Sequence, residues 1–123
     1  MTKTIMIVDD SASMRHVVDI ALRGAGYEVI EACDGGDAIS KLSGRKVHLI
    51  ISDVNMPNMD GITFVKTVRT LPEHKFAPII MLTANFVQSE QYEQAKAEGV
   101  KAWMVKPFDG DQLLDVVSRL ALP

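Results

Sequence analysis

Apolar residues fall into two alternating patterns along this chain. Short apolar runs occupy residues 4–8, 28–32, 49–52, 79–83 and 102–105. Their length and their polar or turn-forming flanks predict β-strands. Between them the spacing becomes helical. Met14, Val17, Val18, Ala21, Leu22 and Ala25 recur at i, i+3, i+4, i+7, i+8 and i+11, one stripe of an amphipathic helix. Leu113, Val116, Val117 and Leu120 repeat the pattern near the end of the chain. Less regular helices are expected from about Gly36 and from about Gly61. Over residues 87–98 the apolar stripe thins to Tyr92 and Ala95, which predicts a loosely held helix.

Five strands alternating with five helices predict an α/β domain, a parallel sheet covered by helices on both faces. The first, third and fourth runs are continuously apolar, as strands buried on both faces must be. The second (Glu28, Val29, Ile30, Glu31) and fifth (Lys101, Ala102, Trp103, Met104) are mixed, as edge strands are. Edges at 2 and 5 fit the order 2-1-3-4-5, a flavodoxin-like (βα)5 three-layer sandwich. Ligand sites in such sheets lie beyond the carboxyl ends of the strands, near the point where the winding reverses.

Composition narrows the class. The 123 residues show no repeat, linker or low-complexity tract and are read as one domain over 1–123. A net charge of −3 speaks against a nucleic-acid or polybasic membrane role. The longest apolar runs, such as Ile5 to Val8, are four residues, far short of a membrane span. Cys33 is the only cysteine, which fits a reducing cytoplasm. A cytoplasmic monomer is expected.

The strand ends carry the chemistry. Asp9 and Asp10 follow the first run, Asp53 the third and Lys106-Pro107 the fifth, while Thr83 ends the fourth. Each alone has a structural explanation: Asp10 or Ser11 as a helix cap, Asp53 opening the turn made by Pro57, Asn58, Asp60 and Gly61. Together they place three carboxylates, a hydroxyl and an ammonium on one rim. Three aspartates against one lysine leave that rim at −2. A hard divalent cation relieves this, and Mg²⁺ suits a site of few carboxylates with room for water and phosphate oxygens. Asp53, at the end of the central strand, is then the natural nucleophile toward a phosphoryl group. Lys106 and Thr83 are placed to neutralise and hydrogen-bond its oxygens.

Val8-Asp9-Asp10, the stretch from Asp53 through Asn55, Met56, Pro57, Asn58, Met59 and Asp60 to Gly61, Leu82-Thr83-Ala84 and Val105-Lys106-Pro107-Phe108 resemble the receiver domain of two-component response regulators. The resemblance runs end to end and is especially close to the chemotaxis branch. It implies that Asp53 is phosphorylated by a histidine kinase of the chemotaxis type. It further implies that Asp10, Asp53 and the backbone carbonyl of Asn55 hold Mg²⁺, with Asp9 acting mainly through bound water. Thr83 and Lys106 would bind the phosphoryl group, Trp103 would occupy the aromatic switch position, and the Lys106-Pro107 bond would be cis. With no output domain expected, output would pass through protein contact, with a flagellar motor-switch protein and a phosphatase as possible partners.

Two other classes share parts of this pattern. A dehalogenase-type phosphatase needs a second acid two residues after its nucleophile, where this chain has Asn55. A flavodoxin-like electron carrier needs a hydroxyl- and glycine-rich loop where this chain has Asp9-Asp10, which would repel a flavin phosphate. His16, His48 and His74 are expected to be structural or surface residues, Cys33 is assigned no chemistry, and Gly35-Gly36 is read as a turn. One departure bears on output. Glu90, Glu93 and Glu98 against Lys96, and Asp109, Asp111 and Asp115 against Arg119, leave the fourth and fifth helices at −2 each. An acidic face is a poor match for an acidic motor-switch peptide, so a phosphate-sink role is an alternative.

Overall fold

The computed structural model describes residues 2–83, 89–106 and 108–121. Its five strands are β1 (Thr4–Val8), β2 (Glu28–Ala32), β3 (Leu49–Asp53), β4 (Ile79–Thr83) and β5 (Ala102–Val105). All pairings are parallel, in the order β2-β1-β3-β4-β5. Every residue of β3 and β4 is buried, whereas β2 exposes Glu28 and Glu31 and β5 exposes Val105. The expected edges are therefore the observed ones.

The helices are α1 (Ala12–Gly24), α2 (Gly35–Leu42), α3 (Gly61–Val68), α4 (Ser89–Ala97) and α5 (Gly110–Leu120). Because successive strand side chains point to opposite faces, each inner strand feeds two cores. Met6, Val8, Ile50, Ile79 and Met81 pack with Ala38 and Leu42 of α2, Phe64, Val65 and Val68 of α3, and Ala95 of α4. Ile5, Ile7, Leu49, Ile51, Ile80 and Leu82 pack with Val18 and Leu22 of α1 and Leu113 and Val117 of α5. None of the described helices is long and apolar enough to cross a membrane.

Two local readings change, and one pair of alternatives is decided. The α1 stripe is narrower than its spacing suggests: Val18 and Leu22 are buried, but Val17 is 57% exposed. Val17 lies a full residue step around the helix from the line that meets the sheet, so its apolar character is not used inside the fold. Gly35 and Gly36 are not a turn but the first turn of α2, opened by Asp34, whose carboxylate accepts the Asp37 N–H at 2.8 Å. Ser11, not Asp10, caps α1 by accepting the Met14 N–H. The thin stripe of α4 is as read: among its described side chains Ala95 is the buried one, and Tyr92 lies against Trp103.

Candidate functional site

Register carries the site residues to one rim. Val8 pairs with Ser52, Asp53 with Leu82 and Thr83 with Val105, so the chain leaves β1, β3, β4 and β5 at a common level. Asp9 follows β1 and is fully buried. One of its oxygens accepts the Ser11 N–H at 2.9 Å, and the other accepts from Lys106 Nζ at 2.9 Å. The same ammonium lies 3.0 Å from Asp53 Oδ2. Lys106 thus ties the ends of β1, β3 and β5 together. Its backbone N–H donates to the Thr83 carbonyl at 2.7 Å, which adds β4 to the junction.

Asp10 is exposed on the solvent side of this junction, and oxygens of Asp9, Asp10 and Asp53 all lie within 4.8 Å of one another. The donor set is hard oxygen throughout, which fits Mg²⁺ rather than a soft metal. Asn55 begins the loop beyond β3, and its N–H reaches Asp53 Oδ1 at 3.4 Å. Gly61 presses the start of α3 against this region: a Cβ there would clash with the Asp53 carbonyl oxygen. Only glycine lets the helix begin so close to the strand end.

The electrostatics follow from burial. Desolvation pushes the Asp53 pKa above its usual range, with the Asp9 charge adding to it and the Lys106 contact opposing it. For Lys106 burial acts to lower the pKa, but the hydrogen bonds to Asp9 and Asp53 and their charges outweigh it and raise it. The pair Asp9–Lys106 is the more deeply sequestered part of the site, with Asp9 fully buried and Lys106 14% exposed.

Trp103 is not on the rim. It pairs with Met81, two positions back from the Thr83–Val105 pair, so it shares a sheet face with Thr83. Its ring is 5.6 Å from that of Tyr92 on α4. The histidines have structural roles or none: His48 Nδ1 accepts the Thr4 N–H at 3.0 Å, buried His74 contacts the Leu42 carbonyl at 2.9 Å, and His16 is exposed. Ala84 and Pro107, and with Pro107 the isomer of the Lys106-Pro107 bond, lie outside the described residues. Sequence reasoning missed Asp34, which bonds Asn58 of the site loop at 3.3 Å. Its signal was available: an aspartate three residues before Asp37 is a helix-start signature.

A five-stranded parallel sheet of this order carries an aspartate trio and a lysine at its carboxyl rim. The chain belongs to the response regulator receiver domain family, which residues 5–118 match. It is 37% identical to the chemotaxis protein CheY of Bacillus subtilis over 120 residues, covering 97% of this chain and 98% of that one. Among solved structures it is similar to the chemotaxis protein CheY4 of Vibrio cholerae, with a TM-score of 0.92, 43% identity and coverage of 98% and 99%. The receiver domain of a sensor histidine kinase from Pseudomonas aeruginosa superposes with a TM-score of 0.87 at 27% identity, each chain covered to 98%. That structure holds a magnesium ion in its active-site cleft. The protein is a CheY-like response regulator receiver, a signalling component rather than an enzyme in the usual sense.

Proposed function

We propose that this receiver accepts a phosphoryl group on Asp53 from the phosphohistidine of a chemotaxis-type histidine kinase, and that the acyl phosphate changes which proteins it binds. The observation that carries this reading is the Lys106 ammonium held between Asp9 and Asp53 at 2.9 and 3.0 Å, beside a third, exposed carboxylate. An Asp53 oxygen attacks phosphorus, the phosphorus–nitrogen bond breaks, and the departing imidazole takes up a proton. Lys106 stays charged throughout and faces the phosphoryl oxygens. The hydroxyl of Thr83, at the end of the neighbouring strand, is the second phosphoryl contact.

Asp10, Asp53 and the Asn55 carbonyl are the residues that would hold Mg²⁺, with Asp9 acting through water. When bound, the ion supplies positive charge against the carboxylates and the phosphoryl oxygens. Similarity to the chemotaxis proteins of Bacillus subtilis and Vibrio cholerae supports a chemotaxis pathway. The acidic faces of α4 and α5 favour a second reading of output, a phosphate sink or a partner other than the flagellar motor switch. Incubation with Mg²⁺ and acetyl phosphate tests the core proposal. Wild-type protein should gain an acid-stable, base-labile label that Asp53→Asn lacks, and undiminished labelling of the variant would overturn the assignment.

A further inference from the structure

The loop over residues 55–60 is pinned at its stems and at its tip. At the stems, the Gly61 N–H donates to the Val54 carbonyl at 2.7 Å, closing the loop on itself. At the tip, Asn58 has a φ of 70°, the only positive value at a non-glycine among the described residues. Asparagine tolerates this left-handed conformation better than most side chains. The conformation accompanies a specific contact: Asn58 Nδ2 donates to Asp34 Oδ2 at 3.3 Å, while Asp34 Oδ1 accepts the Asp37 N–H that opens α2. Next to it Met59 packs on Gly35 so closely that a Cβ on the glycine would come within 2.7 Å of the Met59 sulfur. Two adjacent loop residues are therefore seated on two adjacent residues at the start of α2.

We propose that Asp34 and Asn58 form a latch that positions Asn55, fixing its carbonyl toward the divalent-cation site and its N–H toward Asp53. The inference rests on the metal reading above, and Asp34 and Asn58 act through Asn55 as positioning residues. With both stems fixed, the tip is the remaining freedom of a six-residue loop that begins with Asn55. A single carboxylate sets helix start and loop tip together, so the loop inherits its position from α2, whose Ala38 and Leu42 are fully buried.

The test uses Asp34→Ser, which keeps a capping oxygen but is too short to reach Asn58, and Asn58→Gly, which accepts the positive φ without the amide. Mg²⁺ affinity by calorimetry should fall about tenfold in each, the low end for groups supporting metal ligands. The double variant should lose no more than either single one, because both remove the same contact. Melting temperature in EDTA should stay near that of wild type. Gly35→Ala, whose added methyl pushes Met59 and with it the adjacent Asn58 away from Asp34, should weaken Mg²⁺ binding as well. Unchanged affinity in both single variants, or additive losses in the double, would overturn the latch. Amide exchange at Asn55 in EDTA separates this from the metal reading: it should quicken in both variants whether or not wild type binds Mg²⁺. Wild type that binds no Mg²⁺ would overturn the metal reading and the carbonyl's role in it, while quickened exchange in the variants would still uphold the positioning of Asn55. Unaltered Asn55 exchange alongside normal wild-type binding would overturn the latch alone.

Discussion

At the scale of single residues, the site is a balance between burial and pairing. Asp9 is fully buried and its charge is tolerable because Lys106 and the Ser11 N–H meet its two oxygens. Lys106→Met leaves that charge without its cation and is expected to destabilise the metal-free protein by about 3 kcal/mol, read from urea unfolding in EDTA. Millimolar Mg²⁺ should recover more stability in this variant than in wild type. Asp53 behaves differently. Its pKa is raised in the fold from the usual 3.8, with burial the largest cause, so the folded state holds this proton more firmly than the unfolded chain. The stabilisation from that proton is complete below pH 3.8 and is lost as pH rises through the folded value. Without Mg²⁺, Asp53→Asn should therefore melt a few degrees above wild type at pH 7 and show no advantage near pH 3.5, by calorimetry in EDTA. A variant less stable than wild type at neutral pH would mean that the Lys106 contact, not burial, dominates at Asp53.

At the scale of elements, the helices differ in how they are held, and the difference predicts which one moves. The start of α5 is closed by a reciprocal cap in which Asp109 accepts the Gln112 N–H at 2.7 Å and the Gln112 side chain returns to the Asp109 N–H. Asp109→Ala should cost about 1 kcal/mol of stability in denaturant titration, with phosphoryl labelling of Asp53 unchanged. Among the described side chains of α4 the buried one is Ala95, and the Tyr92 ring rests on Trp103. Trp103 is half-buried on the same sheet face as Thr83, two positions behind it in register. We propose that drawing the Thr83 hydroxyl toward a phosphoryl group would open space along that face, which an inward-turning indole would fill, shifting the contact with Tyr92. Since Trp103 is the only tryptophan, its emission and quencher accessibility should change on adding Mg²⁺ with beryllium fluoride, and Thr83→Ala should blunt the change. Identical spectra and quenching in both states would leave Trp103 as a cover for the sheet edge.

At the scale of the whole molecule, strand order and rim were legible because they depend on period and burial. Continuously apolar runs mark the inner strands, and the residues at their ends, Asp9, Asp53 and Thr83, have no other place to go than the carboxyl rim. What depended on side-chain reach was not legible. The Asp34–Asn58 contact joins residues 24 positions apart and has no periodic signature, and the exposure of Val17 depends on the line along which α1 meets the sheet. Charge distribution was legible from composition along the chain, and it bears most directly on output. Helices α4 and α5 carry Glu90, Glu93, Asp111 and Asp115 against Lys96 and Arg119, the latter paired to Asp115 at 2.8 Å, so that face keeps a negative excess. Like charges across an interface slow encounter and raise the cost of docking, more so at low salt where screening is weak. An acidic flagellar motor-switch peptide is therefore expected to bind weakly even to the beryllium fluoride-activated protein, and binding should strengthen as salt is raised. Replacing Glu90, Glu93 and Asp115 with lysine should raise affinity at low salt and reverse the sign of the salt dependence. Fluorescence anisotropy with a labelled peptide measures both. Tight, activation-dependent binding by the wild-type chain at physiological salt would show that apolar contacts on this face, such as Tyr92 and the exposed Val105, outweigh its charge.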